Sequence, residues 1–231
     1  MFALLTSCWF GFLIGLRHAL DPDHLAAIST VIVERPRRRR AAFLGACWGI
    51  GHSASLIGAG ALLLAWRVSL PDRAAQMFEL AVSLMLIALG ARSVRGSLRA
   101  RRGRALLHVH DGVVHVHEYQ SGEEHFHVRS LTIARRPFLV GLVHGLAGTG
   151  AITALALASM PSAKAALAYI GLFALGSIAG MALLTGLAGI PIERLVRRPT
   201  AHAAVMASVG LVSLLVGIAW GVPAFTRLLS S

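Results

Sequence analysis

Cysteine is nearly absent from this chain. Cys8 and Cys47 are the only two, both lie in apolar segments, and neither belongs to a Cys-x-x-Cys pair. Neither a disulfide framework nor a thiolate metal site is therefore implied, and both cysteines read as packing residues. Acidic residues are also scarce, ten against 22 lysines and arginines, giving a formal net charge of +12. In a soluble protein that balance would suggest nucleic acid. Here the arginines fall almost entirely between long apolar runs, so the charge reports membrane topology and no nucleic-acid partner is expected. No nucleotide-binding motif is present, which leaves an ion gradient or the membrane potential as driving force for any transport. A His-Glu-x-x-His or nucleophile motif is also missing, which argues against an intramembrane metal-dependent enzyme. The N-terminal segment lacks a basic n-region and its apolar stretch runs far past an h-region, so it reads as a retained helix and not a cleaved signal.

What the chain has in abundance is apolar length: 56% hydrophobic residues and a mean hydropathy of +0.70. Six apolar segments, about 2–33, 41–66, 75–95, 137–159, 165–190 and 202–222, are each long enough to cross a ~30 Å hydrocarbon core. Placing basic residues on alternate sides puts 17 on one side and four on the other (Arg67, Arg73, Lys164 and Arg227), with Arg17 inside the first span. Positive charge marks the cytoplasmic side, so both termini are expected outside a bacterial-type inner membrane and the Arg-rich loops inside.

The two halves resemble one another. Phe12 to His18 (FLIGLRH) aligns with Phe138 to His144 (FLVGLVH) at an offset of 126 residues, and Leu44-Gly45 meets Ile170-Gly171 at the same offset. A duplicated unit with an odd number of spans must insert its copies in opposite directions. The expected architecture is an all-α polytopic membrane protein with six transmembrane helices as a 3+3 inverted repeat: residues 1–95, a cytoplasmic His/Arg-rich loop at 96–136, and residues 137–231.

His18, Asp21, Asp23 and His24 lie in the middle of the first apolar segment. Ionisable groups at bilayer depth are costly and mark paths for polar substrates. Imidazole and carboxylate also suit borderline divalent transition metals. On a regular helix at about 100° per residue, His18, Asp21 and His24 share a face about 120° wide and Asp23 points away. Pro22 predicts a kink or break that could bring Asp23 round. In the second copy, Gly145, Gly148 and Gly150 predict a matching weakness. His52, in Gly51-His52-Ser53, and His144 complete a nitrogen-rich set, with Ser53 expected to orient the His52 ring and Arg17 expected to match a nearby carboxylate.

His18-Ala19-Leu20-Asp21-Pro22-Asp23-His24 resembles the signature of the nickel/cobalt transporter family (NiCoT, or NicO), and Gly51-His52-Ser53 resembles that family's second motif. The resemblance implies a metal recognition site of His18, Asp21, Asp23, His24 and His52, with Ni²⁺ or Co²⁺ as transported substrate and no cofactor. Cytoplasmic metallochaperones or urease or hydrogenase maturation proteins are the partner class it implies, beside the lipid bilayer. Pro22 stands where that family often has alanine, six spans replace the eight of larger members, and Gly141 to Gly150 look more like a urease-accessory (UreH-like) branch. Direction and metal preference stay open.

The loop adds His108, His110, His115, His117, His125 and His127, spaced as three His-x-His pairs. Alternation with Val113, Val114 and Val116, and the Asp111-Gly112 turn signal, predict a small hairpin in which each pair shares a face. That suits a metal-handling loop, and His-rich loops in efflux members of the family pull toward export. The preferred reading is a divalent-metal permease. An efflux protein of the same family, an intramembrane metal-dependent enzyme, an anion exporter using Arg17, and a metal sensor acting through the loop are the alternatives.

Overall fold

The computed structural model describes residues 2–34, 38–66, 68–101, 106–110, 113–117, 135–160, 162–195 and 199–230. Among these residues seven helices and one hairpin follow in order: α1 (Phe2–His18), α2 (Pro22–Glu34), α3 (Arg38–Trp66), α4 (Asp72–Arg101), β1 (Leu106–His110), β2 (Val113–His117), α5 (Arg135–Ser159), α6 (Ala163–Leu195) and α7 (Pro199–Ser230). Among the described residues, four helices are long and apolar enough to cross a membrane: Ala41–Trp66, Asp72–Ala100, Ala163–Leu195 and Thr200–Ser230.

The first apolar segment breaks where Pro22 predicts it. The amides of Leu20 and Asp21 turn back onto the carbonyls of Arg17 and His18, and Leu25 N–H to the Asp21 carbonyl opens α2. Pro22 occupies the first position of α2, where a missing N–H costs nothing and the fixed φ is already helical. Asp23 in that first turn faces the positive end of the helix dipole. The matching break in the second copy does not occur: α5 is continuous through Gly145 and Gly148. Its glycines serve close approach instead. A Cβ at Gly145 would strike the His52 carbonyl and the Ser55 hydroxyl, and one at Gly141 the Trp48 carbonyl.

Helix pairs are joined through small residues. α1 runs parallel to α6, with Gly11 against Tyr169, Gly15 against the Phe173 backbone and Gly180 against Leu16. α3 runs parallel to α5 through Gly51, Gly141 and Gly145. α3 and α6 are antiparallel, tied by Ser53 Oγ donating to the Ala174 carbonyl at 3.2 Å. α4 and α7 are antiparallel, and a Cβ on Gly90 would lie 2.6 Å from the Gly210 carbonyl oxygen. Along that seam Ser93, Ser97 and Ser213 donate to the carbonyls of Met206, Ala203 and Leu86. Such close backbone approach with hydroxyl cross-links is how helices associate where lipid removes the hydrophobic drive.

The apolar surface is inverted relative to a soluble bundle. On α7, Leu211, Leu215, Ile218, Val222, Phe225 and Leu229 form an exposed stripe, whereas Gly210, Ser213, Gly217, Gly221 and Ala224 are buried. Hydrocarbon is the solvent that stripe fits. The interior is filled by Ile32, Leu56, Leu86, Ile170, Phe173 and Met181.

The hairpin forms as the alternation predicts. β1 and β2 pair antiparallel with Leu106 opposite His117, His108 opposite His115 and His110 opposite Val113. Opposed residues share a face and the period is two, so positions 108, 110, 115 and 117 fall on one face and the valine positions 109, 114 and 116 on the other. His125 and His127 lie outside the described residues.

Candidate metal centre

Four helices deliver four imidazoles to one place. His18 ends α1, Asp21 sits in the turn, Asp23 and His24 open α2, His52 lies midway along α3, and His144 lies on α5 beside Gly145. The break positions the set: the C-terminal carbonyls of α1 carry partial negative charge and the N-terminal amides of α2 partial positive charge. A cation is therefore stabilised on the His18 side and a carboxylate on the Asp23 side. The glycine contacts of α3 with α5 let His52 and His144 approach to 6.1 Å between ring centroids.

His24 is the hub. Its ring centroid lies 4.4 Å from His18, 5.2 Å from His52 and 4.2 Å from His144. Aromatic walls close the site, with Trp48 5.3 Å from His24 and Phe173 5.3 Å from His18. His24, His52 and His144 are each no more than 2% exposed.

The carboxylates divide the work. Asp23 is buried, takes His24 Nδ1–H at 3.1 Å on one oxygen and His144 Nε2–H on the other. Asp21 accepts from His18 Nδ1–H at 2.7 Å and has a side chain 48% exposed. The regular-helix expectation is thus corrected. The turn at 19–21 rotates Asp23 into the imidazole cluster and leaves Asp21 toward solvent.

The hydrogen bonds fix tautomers and leave lone pairs free. With Nδ1–H committed to a carboxylate, His18 and His24 present Nε2 as a donor atom, the arrangement that orients and strengthens an imidazole ligand. His18 Nε2, His24 Nε2, both nitrogens of His52 and His144 Nδ1 are buried with no hydrogen-bond partner. Each such orphan is costly unless something else binds it. Two groups bring one ligand atom per residue within 4.8 Å of one another, His18/His24/His52 and Asp23/His24/His144. Nitrogen donors with one carboxylate suit a borderline divalent ion.

Two supporting expectations are overturned. Ser53 bonds the Ala174 carbonyl on α6, not the His52 ring, because the α3–α6 contact offers an acceptor on its own side. Arg17 is exposed, and among the described residues no carboxylate pairs with it, since Asp21 is held by His18. His108, His110, His115 and His117 lie on the hairpin, apart in sequence from this cluster.

A cavity of about 420 Å³ is lined by His18, Asp21, Asp23, His24, His52 and His144. Glu79, Trp220, Pro223 and Arg227 also line it. Sequence reasoning passed over Glu79, although an acid inside an apolar segment is the same signal that marks Asp23.

The family model of NicO, the high-affinity nickel-transport protein, matches residues 4–224. The chain belongs to the NicO family. It is accordingly a membrane permease for metal ions and not an enzyme, and the resemblance carried by His18–His24 and Gly51–Ser53 is borne out. This NicO chain is 28% identical over 216 residues to the urease accessory protein UreH of Bacillus sp. (strain TB-90), covering 93% of the chain and 90% of that protein. It is also 30% identical over 187 residues to the Arabidopsis thaliana chloroplast protein FOR GROWTH AND FERTILITY 1, covering 80% of the chain. A second protein of that name, FOR GROWTH AND FERTILITY 2, is 29% identical over 184 residues. The chain spans about half the length of these two plant proteins, 50% and 46%. No solved structure matches the chain.

Proposed function

We propose that the chain moves Ni²⁺ or Co²⁺ across the membrane through the cluster of His18, Asp23, His24, His52 and His144, with Asp21 at its solvent edge. The observation that carries this is the convergence of imidazoles from four helices, each with a buried unpartnered nitrogen, two of them oriented by the buried Asp23 carboxylate. Structural histidines of a membrane bundle would bond a neighbouring carbonyl, as His202 does with the Val33 carbonyl at 3.0 Å. The two donor groups overlap at His24, and an ion in the second would have to displace hydrogen bonds that Asp23 makes with His24 and His144. The match to a high-affinity nickel-transport family supports the choice of ion.

Packing supports a six-span inverted repeat. Gly15 of the first copy packs on Phe173 in the second helix of the other, and its counterpart Gly141 packs on Trp48 in return. The α4–α7 seam is likewise reciprocal: Gly90 faces Gly210 while Gly217 faces Ser83. In this reading α1 and α2 together make the first span. The Arg-rich connections, including the hairpin, lie in the cytoplasm. There the face of His108, His110, His115 and His117 receives or delivers the ion, and urease-maturation proteins are the partner class that likeness to a urease accessory protein suggests.

The deciding experiment follows ⁶³Ni²⁺ content over time in cells carrying the wild type, His18→Ala, or a deletion of residues 105–128. Accumulation above empty vector that is lost in His18→Ala supports import through the cluster. Content below vector means export. No difference for any variant removes nickel as substrate. Loss in the loop deletion alone would favour a sensor.

A further inference from the structure

The cavity lined by the imidazole cluster also holds a second pair of charged residues. Glu79, in the second turn of α4, and Arg227, in the last turn of α7, meet there with Arg227 Nη2 donating to Glu79 Oε2 at 3.4 Å. Their side chains are 44% and 57% exposed, so packing does not lock the pair together. The guanidinium is held from behind, Nε donating to the Pro223 carbonyl at 3.2 Å. Pro223 lies inside α7 and has no N–H, so the Ala219 carbonyl loses the amide that would bind it in a regular helix. Ala219 and Pro223 both line the cavity. The Glu79 carboxylate and the Ala219 residue with its released carbonyl line the same cavity, and hard oxygen donors are the kind that take hydrated divalent cations, unlike the nitrogen donors of the inner cluster.

We propose that Glu79 is an outer capture residue for divalent cations and that Arg227 is its latch. Before a cation arrives the guanidinium neutralises Glu79; a hydrated divalent ion displaces it and then passes inward to Asp21 and His18. Among the described residues lining the cavity Arg227 is the one permanently charged cation, set against the carboxylates of Glu79, Asp21 and Asp23, so removing its charge leaves a more negative field for an entering ion. The proposal rests on the permease reading above. It makes the two partners of one ion pair oppose each other: loss of the Glu79 charge weakens capture and loss of the Arg227 charge strengthens it. A pair that only braced α4 against α7 would give the same sign for both lesions.

The test is initial-rate ⁶³Ni²⁺ uptake by proteoliposomes over a range of concentrations. Glu79→Gln is expected to raise KM by roughly three- to tenfold with kcat changed less than about twofold, and Arg227→Gln to lower KM by a similar factor, both effects shrinking at high salt. A KM moved in the same direction by both variants, or unmoved by Glu79→Gln, overturns the proposal. A second readout needs no transport. With Cys8 and Cys47 replaced by alanine and Ala219→Cys introduced, labelling rates with a cationic and an anionic methanethiosulfonate report the field in the cavity. Glu79→Gln should lower the cationic-to-anionic rate ratio and Arg227→Gln raise it; a ratio moved by neither overturns the proposal. Ratios that shift as expected in a protein that moves no nickel support the capture site and sink the nickel reading alone.

Discussion

Asp23 and His144 stand 121 residues apart in sequence and meet side chain to side chain, His144 Nε2–H donating to Asp23 Oδ2 while the other carboxylate oxygen holds His24. One buried carboxylate thus sets the orientation of two imidazoles from different helices. Asp21, by contrast, holds one imidazole from a half-exposed position.

The two aspartates are therefore expected to differ. Asp23→Asn should lower nickel affinity by about 10- to 100-fold, the usual cost of removing a group that orients metal-bound histidines. Asp21→Asn should cost several-fold less. Equilibrium dialysis of the purified proteins with ⁶³Ni²⁺ measures both, and an Asp21→Asn defect equal to that of Asp23→Asn would contradict the division of roles.

This ordering is the reverse of what helical periodicity alone implies for residues 18–24. The residue types were legible because carboxylates and imidazoles in an apolar segment have few uses there, and Pro22 marked the break. The direction of the turn was not, since three residues of non-helical backbone decide which aspartate faces inward. His144 was legible only through the half-to-half alignment. Gly145 misled for a physical reason: a glycine that weakens an isolated helix is the same glycine that lets two packed helices touch, and α5 uses it to reach His52. Glu79 and Arg227 share no local pattern, so the α4–α7 packing that joins them was needed to see the pair.

His52 separates function from stability. Both of its ring nitrogens are buried without a partner, so an apolar residue of similar shape removes a desolvation penalty of about 1–3 kcal/mol. His52→Leu is expected to abolish ⁶³Ni²⁺ uptake while leaving the detergent-solubilised protein as thermostable as wild type or more so. A large drop in Tm would identify His52 as a structural residue.

Glycine substitutions should sort by packing. Gly15→Val drives a side chain into the Phe173 backbone and Gly141→Val into that of Trp48. Neither neighbour can yield, so each should cost several kcal/mol, beyond the ~1–3 typical of overpacking. Gly171 has nothing within 4 Å of a built Cβ, and Gly171→Ala should gain about 0.5–1 kcal/mol by the ordinary helix preference. Thermal unfolding of the three variants checks the contrast, and a tolerated Gly15→Val would mean that α1 does not seat on α6 as described.

The hairpin register makes the last prediction. Positions 108 and 115 are directly opposed and positions 110 and 117 share their face, the register expected if the hairpin holds one ion between its two strands. Replacing His108, His110, His115 and His117 with alanine should remove about one bound Ni²⁺ per chain in equilibrium dialysis. The intramembrane cluster keeps its own donors, so high-affinity binding sensitive to Asp23→Asn should survive. Moving His108 to position 109 instead places it on the opposite face, and that shifted variant should lose the hairpin ion despite an unchanged histidine count. Retention of the ion by the shifted variant would show that composition, and not the register of the ladder, holds it.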